Sequence, residues 1–519
     1  MNDRRTLASW RALLAALAAL AGMWLAAGAS AQESRPDIRV RLQFARPGGV
    51  YDPAYWRYTS DSFVNRSIFN SLVRMVPGTG GGELAPDLAE SWEVSEDGTV
   101  YTFHLRQGVQ FHGGYGEMTA DDVVFTFQRQ LDDPESSWYS LLTGITSVEA
   151  VDDYTVRITL SEPQPSFLRN VIAYRPGLIV SRAAVEERGE AFAQQPIGTG
   201  PYSFVELNEN DEVVLAANDE YYMGPPDFAS VTFVHVGEET VVAAALESGE
   251  LDAAYTRGNP EVAQQLLNSD TIEAVTVVEY YNLMQVQFGP GYEPVQDVRV
   301  RQALAHAIDK SLITSFLPGL DQPADVMRPS QVAGGTDDVP TYPFDPERAR
   351  QLLTEAGYPN GFDMTLMFQM REPETTIAQI LAESWQAIGV NVTLEGLDAT
   401  TAFDRRESGD FDVTFSATSR FGDPDLFFTD VFHSESIPPN GSNFFHYDGA
   451  DELIEQARGE LDEERREQLY HELQAKLMEE LPIIPILYRA YVAAWREPVA
   501  NLTPDTTIEF WAETLEAAQ

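Results

Sequence analysis

Residues 84–127 read LAPDLAESWEVSEDGTVYTFHLRQGVQFHGGYGEMTADDVVFTF, and this stretch decides the fold class because it holds both kinds of local signal. Within it, residues 99–105 alternate apolar and polar side chains directly after a turn that contains Gly98. Residues 38–44 and 154–160 show the same alternation elsewhere in the chain. Alternation of this kind is typical of a β-strand with one buried face.

The same stretch also begins an amphipathic helix at Thr119-Ala-Asp-Asp122. Thr119 is suited to cap the helix, and Asp122, three residues later, completes a capping box. A second helix is expected after Asp345, with proline at its first position, and an apolar stripe through Trp385 marks a third. Because short strands and amphipathic helices alternate throughout, the sequence predicts an α/β fold.

Residues 1–31 are predicted to be a secretory signal peptide and not part of the fold. A positive head containing Arg4, Arg5 and Arg11 precedes an apolar run over residues 12–25, and Ala29-Ser30-Ala31 supplies the small residues of a cleavage site. The alternative is a membrane anchor, but the apolar run is shorter than the ~20 residues that span a bilayer. We therefore expect cleavage near Ala31.

The chain contains no cysteine. Disulfides are therefore excluded, and so is the lipid anchor that exported proteins carry on an N-terminal cysteine. A freely diffusing exported protein is retained only where an outer membrane encloses it. We expect the periplasm of a two-membrane bacterium, with secretion into the medium as the alternative.

The charge is strongly acidic, with 81 Asp and Glu against 34 Lys and Arg and a net charge of −47. The only lysines are Lys310 and Lys476. Such a surface repels phosphate backbones and anionic lipids, so neither nucleic-acid binding nor a stable membrane attachment is expected. The mature chain of roughly 488 residues is long for one core, which predicts two or three lobes.

No motif of a catalytic or metal centre is present. The chain lacks G-x-S-x-G, H-E-x-x-H and the P-loop, and its histidines are not at metal-ligand spacing. We expect no cofactor, no metal site and no enzymatic activity. A secreted hydrolase is a distant alternative, which turnover of a bound ligand would establish.

Several blocks, in order along almost the whole mature chain, resemble the family 5 solute-binding proteins, the peptide and nickel receptors of ABC importers. The stretch 84–127 is the most specific of them. The others are Pro196-Ile-Gly-Thr-Gly-Pro-Tyr202, Leu246-Glu-Ser-Gly-Glu-Leu-Asp252, Asp297-Val-Arg-Val-Arg-Gln-Ala303, FDPERARQLLTEAGYPNGF, Gly409-Asp-Phe-Asp412, Gly422-Asp-Pro424 and LPIIPILYR.

The resemblance implies a two-lobed periplasmic-binding-protein (Venus-flytrap) fold with an extra subdomain inserted in the first lobe. Two crossing strands near residues 280–288 and 488–495 would form a hinge, and ligand would be captured as the lobes close. A monomer would then deliver it to a membrane permease. The implied parts are a first lobe from residues 36–60, 182–281 and 489–519, an inserted subdomain at 61–181, and a second lobe at 282–488.

The resemblance also implies a peptide or peptide-like solute, but one position departs from the peptide receptors. They bind the peptide amino group with an aspartate four positions before the proline that corresponds to Pro424, and Arg420 stands there. Thr375 or Thr376 replaces the arginine that binds the peptide carboxylate in dipeptide receptors. An arginine at 420 suits a carboxylate, phosphate or sulfate, so an anionic or sugar-like ligand is the alternative. Arg420 could instead pair with Asp423 or Asp425, or face solvent.

Further candidate ligand contacts are weaker. Arg46 follows the first strand and Arg257 follows the block that ends at Asp252. Aromatic walls could come from Tyr255, Tyr281 and Phe421, and hydrogen bonds from Asn282, Gln285 and Gln287 on the first hinge strand. Strand alternation places Gln285 and Gln287 on one face and Asn282 on the other, so all three face a ligand only if the strand bulges.

The acidity leads to a first prediction, that the melting temperature rises as NaCl is raised from low to molar concentration. Salt screens the repulsion among surface carboxylates over ~10 Å at 0.1 M, and a saline habitat would explain such a composition. Calorimetric melts across the salt series test this. Unchanged stability across the series would contradict it.

Overall fold

The structure is a computed structural model that describes residues 35–42, 49–55, 59–79, 82–208, 212–317, 320–419, 422–506 and 510–518. The residues from Asp37 onward form one compact unit. In the described ranges, none of the helices has both the length and the apolar character needed to cross a membrane. The expected signal peptide lies outside the described residues.

Strands and helices alternate along the chain. The strands are β1 (Asp37–Leu42), β2 (Val73–Met75), β3 (Leu84–Pro86), β4 (Ala89–Val94), β5 (Val100–Leu105), β6 (Ile145–Asp152), β7 (Thr155–Leu160), β8 (Tyr202–Leu207), β9 (Val213–Ala217), β10 (Ser230–His235), β11 (Ala253–Thr256), β12 (Glu273–Phe288), β13 (Gln322–Pro323), β14 (Asp363–Gln369), β15 (Asn391–Leu397), β16 (Val413–Ser419), β17 (Ile483–Trp495), β18 (Val499–Asn501) and β19 (Glu516–Ala517). The α-helices are α1 (Thr59–Ile68), α2 (Ala120–Leu131), α3 (Tyr139–Leu142), α4 (Arg182–Arg188), α5 (Val242–Ser248), α6 (Pro260–Leu267), α7 (Val298–His306), α8 (Lys310–Ser315), α9 (Pro346–Glu355), α10 (Glu374–Gln386), α11 (Ala399–Glu407), α12 (Pro424–Phe432), α13 (Asp451–Gly459) and α14 (Glu463–Glu480).

A mixed sheet organises the fold. Among the described residues it has eleven strands in the order β15-β14-β16-β12-β17-β11-β1-β10-β9-β8, with β13 paired to β17. A separate four-stranded sheet, β4-β5-β7-β6, lies within residues 84–160. The predicted α/β class is confirmed.

The local predictions within residues 84–127 are confirmed as well. β5 pairs antiparallel with both β4 and β7, and its side chains alternate between buried and half-buried positions. The capping box is present at the start of α2, where the Thr119 backbone N–H donates to Asp122 Oδ2 at 3.1 Å. These elements form as expected because their signals are contained within a few neighbouring residues.

β12 and β17 connect the two halves of the large sheet. They pair antiparallel along nearly their whole length, while β12 also pairs with β16 and β17 also pairs with β11. Alternate residues of β17 enter different hydrophobic cores, Tyr491 and Ala493 one core and Val492 and Ala494 the other. The placement of the hinge on these strands, and the boundaries of the lobes, stay predictions.

In the block Pro196–Tyr202, the backbone at Gly198 passes very close to Ile68 and Phe69. A Cβ on Gly198 would lie 2.7 Å from Phe69 Cδ1 and closer still to the Ile68 carbonyl oxygen. Real Cβ atoms do not approach backbone atoms so closely, so only glycine fits. This close approach explains why position 198 is a glycine, and no contact with a ligand is needed to explain it.

We therefore predict that Gly198→Ala lowers the free energy of unfolding by about 3 kcal/mol, because the clash is with backbone that cannot move aside. Gly291→Ala is the matched control, since a Cβ there meets no atom within 4 Å. Urea unfolding measures both variants. Equal stabilities would show that the turn yields without cost.

Candidate functional site

Where β12 pairs with β17, buried charges form a group. Glu279 of β12 is the ladder partner of Arg489 on β17 and is fully buried. Its carboxylate pairs with Arg257 and accepts a hydrogen bond from Asn282 Nδ2 at 2.8 Å. The ladder with β17 is irregular between Glu279 and Leu283 and again between Met284 and Gln285, yet Asn282 stays on the opposite face of β12 from Gln285 and Gln287.

The group of charges continues from Arg489 to the start of α10. Arg489 Nη1 lies 3.3 Å from Glu374 Oε1, at the first residue of α10, and Arg371 Nη2 donates to the same oxygen at 2.7 Å. Asp321 Oδ1 accepts the backbone N–H of Ala490 at 2.8 Å. We call Arg257, Glu279, Asp321, Glu374 and Arg489 the central ion cluster.

Burial disfavours the charged forms of Arg257 and Asp321, and neighbouring charges oppose that effect. Burial lowers the pKa of Arg257, while the charge of Glu279 raises it. Burial raises the pKa of Asp321, and the charge of Arg489 opposes that rise. A buried ion is tolerated only with such partners, so these residues depend on one another.

Contacts also join the predicted inserted subdomain to the predicted second lobe. Asn170 Oδ1 accepts the backbone N–H of Asp423 at 3.1 Å. A Cβ on Gly422, which has a φ of +87°, would lie 2.9 Å from the same oxygen. Elsewhere, a Cβ on Gly98 would lie 2.6 Å from Leu461 Cδ2. The two regions therefore touch at more than one place.

The carboxylates beside position 420 have arginine partners of their own. Asp423 accepts bonds of 2.6 and 2.8 Å from the guanidinium of Arg466. Asp425 Oδ1 lies 3.3 Å from Arg458 Nε. These are the two carboxylates that the sequence suggested as alternative partners for Arg420.

Tyr281 of β12 faces an arginine that the sequence analysis did not single out. The guanidinium carbon of Arg328 lies 5.0 Å from the centre of the Tyr281 ring and 5.8 Å from that of Phe427. Burial raises the pKa of Tyr281, and the charge of Arg328 lowers it. The charge of Arg169, which neighbours Asn170, also lowers the pKa of Tyr281.

Three predicted site residues lie outside the described residues: Arg46, Arg420 and Phe421. Tyr255 is placed in a hydrophobic core, with its ring 5.3 Å from Phe63 and 5.4 Å from Tyr491. This placement favours packing over contact with ligand. Thr375 and Thr376 donate hydrogen bonds within their own turn, 3.0 Å to Arg371 O and 2.8 Å to Glu372 Oε2.

The polar residues of β12 divide between its two faces. The ladder with β16 is regular from residue 282 to 288, so Gln285 and Gln287 share one face and Asn282 lies on the other. Gln285 Nε2 donates to Thr418 Oγ1 and Gln287 Oε1 accepts from Ser416 Oγ, each at 2.7 Å. The two glutamines thus bond across the ladder, and Asn282 joins the central ion cluster.

Sequence reasoning missed Glu279, Asn170, Arg328 and Arg489. With 81 acidic residues in the chain, no single carboxylate stands out. One signal was available for Arg328, which lies among Val326, Met327 and Pro329. An arginine within an apolar run is either paired in the interior or has a role there.

The fold defines a class of protein, the two-lobed binding proteins of α/β type. The chain belongs to the bacterial extracellular solute-binding proteins, family 5, whose model for the middle region matches residues 83–439. It is similar to di/tripeptide-binding protein 2 of Pseudomonas aeruginosa, with 31% identity over 511 residues covering 92% of this chain and 94% of that protein.

Two solved structures extend the similarity. HbpA2 from Haemophilus parasuis superposes with a TM-score of 0.84 at 30% identity, over 93% of this chain and all of that one. MoaA from A. tumefaciens R10, solved with mannopinic acid, superposes with a TM-score of 0.78 at 28% identity, over 94% of this chain and all of that one. The chain is therefore a solute-binding protein, as the ordered sequence blocks predicted.

We predict that Glu279→Gln lowers the free energy of unfolding by about 3–5 kcal/mol, because the buried charge of Arg257 then loses the carboxylate of Glu279. The control is Glu186→Gln, which removes an exposed i,i+4 pair with Arg182. That change should cost less than about 0.5 kcal/mol. Denaturant unfolding measures both variants. Similar small losses of unfolding free energy in both would show that the central ion cluster does not stabilise the fold.

Proposed function

We propose that this chain is the periplasmic receptor of an ABC importer, and that it captures a peptide or peptide-like small solute as its lobes close. The observation that carries the proposal is the pair of contacts between distant regions, Asn170 with Asp423 and Gly98 with Leu461. In two lobes joined by long strands, such contacts form when the lobes approach each other. A solute bound between them would favour that closed state.

Other features support the remaining parts of the proposal. The export signal in residues 1–31 and the lack of cysteine favour a free periplasmic protein. The similarity to a di/tripeptide-binding protein favours a peptide. We further propose that the protein acts as a monomer without catalytic activity, since the sequence carries no nucleophile or metal motif.

A second candidate ligand is an anionic or sugar-like compound. Arg420 stands where the peptide receptors carry the aspartate that binds an amino group, and a guanidinium there would repel an ammonium group. A related structure holds mannopinic acid, which shows that this fold accommodates a ligand other than a peptide. In this proposal the ligand contacts are Arg420 and Phe421, with Arg46, Arg257, Tyr281 and Asn282 as lesser candidates.

A thermal-shift screen of peptides, sugars and organic acids distinguishes these ligands. A compound that binds only the folded protein raises its melting temperature by mass action. We expect peptides to give the largest shifts. Shifts confined to organic acids or sugars would replace the peptide with the second candidate, and a ligand consumed by the protein would overturn the receptor assignment.

We predict that Arg420→Ala weakens binding of the best anionic compound by at least about 1.5 kcal/mol, or roughly tenfold, because a charged hydrogen bond is lost. Arg348→Ala is the control, since Arg348 is an exposed arginine whose contact with Glu355 is long, at 3.5 Å. Isothermal titration gives both affinities. An unchanged affinity for Arg420→Ala would remove this residue from the site.

A further inference from the structure

Arg328 is a buried cation with few partners. Its side chain is 1% exposed, among the most buried large side chains of the protein. A guanidinium has five N–H donors. Within the ranges described, one hydrogen bond is formed by this group, from Nη2 to Ala333 O at 3.0 Å, and Nε has no acceptor. No ion pair to Arg328 is present among those residues.

A second buried arginine, Arg301, has acceptors for the donors of its guanidinium group. Arg301 also lies in the interior without an ion pair among the described residues. Its Nε and both Nη atoms, however, donate to the carbonyl oxygens of Val295, Gln296, Glu480 and Leu481. Carbonyl oxygens thus satisfy Arg301 as a structural group, and Arg328 lacks a comparable set.

The protein holds Arg328 firmly in place. Its backbone N–H donates to Gln474 Oε1 at 3.0 Å, and its carbonyl accepts from Thr336 N at 3.1 Å. The rings of Tyr281 and Phe427 lie against the guanidinium. Aromatic rings supply no oxygen acceptors, so these contacts do not satisfy the guanidinium N–H donors, whose planar arrangement matches a carboxylate.

The nearby charges do not neutralise Arg328. Burial lowers its pKa, and Tyr281 and Asp423 raise it. The carboxylate of Asp423, however, is bound by Arg466 through two hydrogen bonds. A buried cation in this state is unfavourable, and an anion supplied from outside the chain would remove the cost.

The position of Arg328 agrees with a ligand site. Its neighbour Tyr281 belongs to β12, and the charge of Arg169 lowers the pKa of Tyr281. Arg169 is adjacent to Asn170, which contacts Asp423 from the other region. We propose that Arg328 binds a carboxylate of the captured solute between the lobes, so that the solute class is one that carries a carboxylate. This inference rests on the receptor function proposed above.

The test compares Arg328→Met with Arg348→Met, which removes the same charge from an exposed position on α9. The probes are trialanine, trialanine amide, and sodium acetate exchanged for sodium chloride at constant ionic strength. We expect the parent and Arg348→Met to bind trialanine at least about tenfold more tightly than its amide. Arg328→Met should bind the two forms within about threefold of each other.

The acetate series tests the role of Arg328 independently of peptide binding. Acetate should raise the melting temperature of the parent and of Arg348→Met above that in chloride, and Arg328→Met should lose this excess. Arg328→Lys, which keeps the charge, should retain part of it and shows that position 328 tolerates replacement. Equal acetate shifts in all variants, or an acid-over-amide preference that survives in Arg328→Met, overturns the proposal. Failure of trialanine to bind in either form counts against the peptide receptor, and the acetate series still decides the role of Arg328.

Discussion

The pairing of β12 with β17 is the constraint on which the remaining structure depends. These strands belong to both halves of the large sheet, and the side chains of β17 enter two different cores. Within this ladder, Glu279 binds Arg257 while its ladder partner Arg489 binds Glu374. Because a buried ion needs its partner, these pairs tie the register of the strands to α10 and to the loop after β11.

How well an interaction can be predicted from the sequence depends on how far apart its residues lie along the chain. The capping box of Thr119 and Asp122 spans three residues and was found from the sequence, as was the alternation in β5. The pair of Arg489 with Glu374 spans 115 residues, and no local pattern marks it. The blocks that resemble family 5 indicated the fold class but did not indicate which charges meet inside it. The most acidic chains offer the most alternative partners, so pairing cannot be inferred from composition.

The cations of this protein are nearly all arginine, and several lie in the interior. Arg257, Arg301, Arg328 and Arg489 are surrounded in different ways, by carboxylates, by carbonyl oxygens or by aromatic rings. Arginine suits each of these environments because its charge is delocalised and its donors are fixed in a plane. Among the described residues, carboxylates pair with the buried Arg257 and Arg489, whereas Arg301 and Arg328 have no such partner.

The contacts described between the two regions are individually weak. A neutral hydrogen bond such as that between Asn170 and Asp423 contributes about 0.5–1.5 kcal/mol. A micromolar ligand contributes about 8 kcal/mol, several times the contribution of one such hydrogen bond. A buried Arg328 without an anion adds a cost to the empty closed state. The same residue then disfavours closure without solute and favours closure with one, which is the difference in free energy that a receptor needs between its two states.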